Sequence, residues 1–212
     1  MSDSNSLYIA FITLALFFTI TSTIALICLL LLNFKMKEWN GLIQILVLMT
    51  SSQLLFNFGY FFQIVTYANK TDTIFSYLGL MIGGISAALY SSILAYTVVY
   101  LIVFRQVLDI KRYFIRITSF CVLPSVITFF IFCAAENASN DDVDNSILLL
   151  KVSIYLDYFI RLLSLIFNLA CYFTTSIEIR KMINDNTINQ VFMHMCITYV
   201  YVYYICIYDY IL

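Results

Sequence analysis

IFSYLGLMIGGISAALYSSILAYTVVYLIVF, residues 74–104, carries no charged side chain and no proline. About 20 mostly apolar residues suffice for a helix to cross the ~30 Å hydrocarbon core of a bilayer. A strand of a membrane barrel would alternate polar and apolar positions over a short segment, and this run does not. Small residues return every four positions along it, at Gly79, Gly83, Ala87, Ser91 and Ala95, flanked by Gly84, Ala88 and Ser92. In lipid, where apolar contact alone does not drive helices together, small residues that let backbones approach mark packed faces. A small face this wide, about four turns long at 3.6 residues per turn, predicts a central helix touched from several sides. A narrower reading takes Gly79-x-x-x-Gly83 alone as the seam of a homodimer.

Working outward, sparsely charged runs of similar length occupy residues 7–33, 41–67, 113–135, 147–177 and 188–212. The connections between runs are too short to hold another domain. Sequential helices would therefore pack antiparallel in a single all-α membrane bundle over residues 1–212, with six predicted spans. Composition agrees: 63% of the 212 residues are hydrophobic, 17% aromatic and 11% charged. A soluble domain averages about 25% charged residues, so this chain has too little polar surface for a water-soluble globule. A net charge of −1 offers no basic footprint for nucleic acid. His194 is the single histidine, and no metalloprotease, nucleophile-elbow, Walker or CxxC pattern occurs. The expectation is no enzyme, no cofactor and no metal site. All six Cys lie inside predicted spans, so no disulfide is expected.

Charge decides orientation. Lys35, Lys37, Arg105, Lys111, Arg112, Arg116, Arg180 and Lys181 fall at one set of alternate loops, whereas Lys70 and Lys151 alone fall at the other. Basic residues concentrate on the cytoplasmic side, which puts the N-terminus outside. The sequons Asn69-Lys-Thr and Asn137-Ala-Ser both fall in loops this orientation places outside, making Asn69 and Asn137 glycosylation candidates.

Polar residues inside spans cost free energy unless they meet partners, so they point to the bundle interior. Thr50, Gln53, Asn57 and Tyr60 share a face of the second span. Asp157 and Arg161 lie at i,i+4 on the fifth, as neighbours on one helix face. Gln53, Asn57, Asp157 and Arg161 are the candidates for a ligand pocket. Interhelical hydrogen bonding explains the first pair equally well. For the second, an Arg that snorkels outward while Asp157 neutralises it needs no ligand.

The chain resembles a seven-helix G-protein-coupled receptor, in particular the cyclic-AMP-receptor-like branch and its secretin-like and frizzled-like relatives. The features that carry the resemblance are the outside N-terminus and the basic loop Lys35-Met-Lys-Glu-Trp-Asn40. A polar opening to the second span, Thr50-Ser-Ser-Gln53, and a long third helix ending at Arg105 add to them. Lys111-Arg-Tyr-Phe-Ile-Arg116 then leads into a fourth span with Pro124, and the fifth closes in Asn168-Leu-Ala-Cys-Tyr172 and Arg180-Lys181. The resemblance covers about residues 7–190. It implies a plasma-membrane receptor for an extracellular ligand, coupled to a heterotrimeric G protein through Lys111, Arg112, Arg116, Arg180 and Lys181. Departures are the lack of an Asp-Arg-Tyr sequence, of a Cys at the outer end of the third span, and of a seventh helix.

Residues 193–208 draw only on Met, His, Cys, Ile, Thr, Tyr and Val. The genetic code yields that set from alternating purine–pyrimidine repeats, so the tail reads either as translated repeat DNA closing a truncated receptor or as an aromatic-rich sixth helix. A small transporter or channel is the alternative to the receptor, and a transporter would be expected to show internal repeats and Gly- or Pro-broken helices.

Overall fold

The computed structural model describes residues 2–35, 41–69, 74–106, 108–138 and 143–184. Among these all but residues 105, 106, 108 and 109 are helical: α1 Ser2–Lys35, α2 Gly41–Asn69, α3 Ile74–Leu78, α4 Gly84–Phe104, α5 Ile110–Ala138 and α6 Val143–Asn184, besides the π-turn below. A π-helical turn, Gly79–Gly83, joins α3 to α4, so that the run 74–104 is one long helix with a defect. Among the described residues five helices are long and apolar enough to cross a membrane, and they contain the first five predicted spans. The sixth, 188–212, lies outside the described residues.

Local features set the helix ends. α4 stops at Arg105, which takes a left-handed conformation at φ 53° and so turns the chain out of the helix. α5 then begins at Ile110 and not at Tyr113, because Asp109 caps it. Its Oδ1 accepts the Arg112 backbone N–H at 3.3 Å, which satisfies one of the free amides of the first turn. Pro124 inside α5 removes one backbone donor. Two hydroxyls bond carbonyls there, Ser125 that of Val122 at 2.6 Å and Thr128 that of Pro124 at 2.8 Å.

The long third helix is the centre of the bundle. Buried residues make up 56% of its most apolar stretch, against 6% in α1. α4 packs against α2, α5 and α6, the π-turn packs against α2 and α5, and α1 packs on α2. Gly41 at the start of α2 abuts Ile110 at the start of α5. Tyr77 and Phe132 stack at the opposite end, with ring centroids 4.3 Å apart. Neighbouring helices thus run antiparallel, as short connections require.

The small-residue face is buried on both sides. A Cβ built on Gly79 would lie 2.5 Å from the Gly59 Cα of α2, and one on Gly83 would lie 2.5 Å from the Phe56 nitrogen. The backbones of α2 and the π-turn are in contact, which only glycine permits there. This sets the Gly79/Gly83 face against α2 within the chain, as a central helix requires.

Candidate functional site

Arg161 stands halfway along α6 and reaches the π-turn. Its Nε donates to Asp157 Oδ1 at 2.8 Å, and its Nη2 donates to the Leu80 carbonyl at 2.9 Å. The guanidinium carbon lies 5.3 Å from the centroid of the Phe56 ring of α2, a cation–π contact. A Cβ at residue 84 would fall on the guanidinium, so Gly84 provides the space it occupies. One side chain therefore ties α6, α2 and the central helix together. Arg161 and Asp157 are 23% and 17% exposed, low enough for each to depend on the other for compensation. Leu80 is six residues from Ile74, about 9 Å along the helix axis. Among the described residues this is the only ion pair away from a helix end.

A ladder of hydroxyl and amide groups continues below the pair. Ser92 and Ser164 share a hydrogen bond at 2.6 Å, and Ser164 also donates to the Ala88 carbonyl at 2.7 Å. Asn168 Nδ2 donates to Ser91 Oγ at 2.9 Å. Ser86 and Ser125 pair at 2.9 Å on the other flank, where α5 meets the central helix. These bonds knit α4 to α6 and α5, and their residues are buried. Such interhelical hydrogen bonds replace the water that lipid cannot provide.

The four pocket candidates do not converge. Asn57 Nδ2 donates to the Phe18 carbonyl at 3.3 Å and to Ser22 Oγ at 2.8 Å, both on α1. Gln53, one turn earlier on the same helix, is partly buried. Thr50 bonds its own helix at the Leu46 carbonyl. Asn57 serves the α1 contact, whereas Asp157 and Arg161 serve the central helix. Sequence reasoning missed Phe56, the Leu80 carbonyl and the opening left by Gly84. The signal was the run Gly79-Leu-Met-Ile-Gly83-Gly84, which reads as packing until its π geometry is seen.

Lys111, Arg112, Arg116, Arg180 and Lys181 are all exposed and lie at one end of the bundle, where α5 begins and α6 ends. Met182 and Ile179 of α6 pack there on Val98 and Ile102. Lys181 pairs with Glu178. Asn69 and Asn137 fall at the last turns of α2 and α5, at the opposite end. Among the described residues no three His, Cys, Asp or Glu side chains are grouped as a metal would require. Comparison of the chain with family models, curated proteins and solved structures finds no match.

Proposed function

We propose that the chain is a receptor-like integral membrane protein of the seven-helix G-protein-coupled type, with Asp157 and Arg161 at its ligand-sensitive point. The observation that carries the reading is the Arg161 bridge from a charged pair on α6 to the backbone of a π-turn in the central helix. π-turns inside α-helices are frequent at functional sites. An external ligand that engages Asp157 or Arg161 would change the contact to Leu80 and favour a different packing of the central helix. That helix touches α2, α5 and α6, so the change reaches the basic end where a G protein would bind. In this reading the N-terminus is extracellular, Asn69 and Asn137 carry glycans, and the membrane is the plasma membrane.

The test is a G-protein recruitment assay across a panel of Gα subunits. Arg161→Gln and Gly84→Ala, which act on the bridge from opposite sides, should both change basal recruitment at equal surface level. Absence of recruitment by every Gα sinks the reading. The second reading, a small transporter or channel, is favoured by a helix interrupted at Gly79–Gly83 beside a charged pair. Solute flux in reconstituted vesicles, abolished by Asp157→Asn, would establish it instead.

A further inference from the structure

We propose that Lys111, Arg112 and Arg116 of α5 bind the headgroup of an anionic phospholipid. The inference rests on the membrane reading and is independent of the receptor reading. α5 has two sharply different faces. Ile110, Cys121, Ser125, Thr128, Phe132 and Ala135 are buried against the bundle, at 4% exposure or less. The opposite stripe is apolar and open: Ile115 is 80% exposed, Phe120 61%, Leu123 59% and Phe130 65%. Arg112 and Arg116 are exposed on the same stripe, at i,i+4 and beside Ile115. These two cations therefore stand at the end of the surface that faces lipid tails, and not on the face that meets other helices.

Length sets their depth. The span Ile110–Glu136 has 27 residues. At 1.5 Å per residue it is about 40 Å long, and so exceeds the ~30 Å hydrocarbon core by roughly seven residues. The surplus matches the stretch from Ile110 to Arg116, which lies at headgroup level. Tyr113, 38% exposed, supplies the aromatic anchor common at that depth, and Arg112 lies 5.8 Å from its ring centroid. Among the described residues none of the three cations has an ion-pair partner. Asp109 is the acid closest in sequence, and its carboxylate is engaged by the Arg112 backbone amide. Arg112 and Arg116 on the lipid-facing stripe, with Lys111 exposed beside it, outnumber that one acid and complement a phosphodiester headgroup that bears net negative charge.

The experiment is native mass spectrometry of the full chain in detergent, titrated with dioleoylphosphatidylglycerol or dioleoylphosphatidylcholine. The unaltered chain should bind the anionic lipid at least about ten-fold more tightly, and added salt should erase the preference. At roughly five-fold per cation, Arg112→Gln with Arg116→Gln should lower the preference about 25-fold or to parity, whereas Arg112→Lys with Arg116→Lys keeps it. Arg180→Gln with Lys181→Gln should leave it unchanged. Equal binding of the two lipids, or a preference that follows Arg180 and Lys181, overturns the proposal. So does a Gln double variant that keeps the preference but loses G-protein recruitment, which would assign these cations to a protein partner. Alkaline carbonate extraction separates the two levels. A chain released into solution refutes the membrane reading as well, whereas a retained chain without lipid preference refutes the headgroup site alone.

Discussion

Arg161 shows how one side chain can hold three helices when its partners are a carboxylate, a carbonyl and an aromatic face. Removing it leaves Asp157 inside the bundle without its counter-charge, and an orphaned buried charge costs about 3–5 kcal/mol. Arg161→Met should therefore lower thermal stability in detergent by several degrees. Asp157→Leu combined with Arg161→Met should recover most of the loss, because replacing both charges by apolar groups removes the uncompensated one. If the double variant instead loses the sum of what Arg161→Met and Asp157→Leu lose singly, the pair is not coupled. The Asp157/Arg161 neighbour relation was legible from i,i+4 spacing alone. Their contact with Leu80 was not, because a backbone carbonyl leaves no trace in side-chain pattern.

At the scale of the element, the π-turn Gly79–Gly83 is the feature that hydropathy could not reveal. A continuous apolar run reads the same whether or not one residue is inserted into its hydrogen-bond ladder. The π-turn takes up one extra residue, so α3 presents Tyr77 to Phe132 at a phase that a continuous α-helix over the same residues would not have. Deleting Ile82 should close the turn into a plain α-helix and leave α3 in its present phase. Tyr77→Cys and Phe132→Cys, joined by a short bifunctional thiol reagent in the intact sequence, should then still cross-link in the deletion variant. Loss of the cross-link would mean that the π-turn does more than absorb one residue. α5 also starts before its apolar run does. Lys111 and Arg112 look like loop residues, yet the Asp109 cap makes them the first turn of the helix.

Over the whole molecule, the antiparallel bundle collects charge at its ends. Gly41 against Ile110 at one end and Tyr77 against Phe132 at the other pair the termini of α2, the central helix and α5. The basic residues of α5 and α6 consequently share an end, whereas Asn69 and Asn137 belong to the opposite one. With the basic end in the cytoplasm, an epitope fused before Met1 should stain on unpermeabilised cells. Asn69→Gln combined with Asn137→Gln should abolish an endoglycosidase-sensitive shift in gel mobility. Staining only after permeabilisation would reverse the orientation.

The sequence by itself determined that this protein is a bundle of apolar helices, where five of them run, and which residues are too polar or too small to face lipid. Those properties follow from the cost of transferring side chains and backbone into hydrocarbon, which is paid residue by residue and can be added along the chain. Tertiary structure decided which small face meets which neighbour. It sent Asn57 to α1 and Arg161 to the π-turn, and left Arg112 and Arg116 on the exposed side of α5. Such contacts join residues up to 81 positions apart, as between Leu80 and Arg161. They depend on how whole helices rotate against one another, a choice no local pattern encodes.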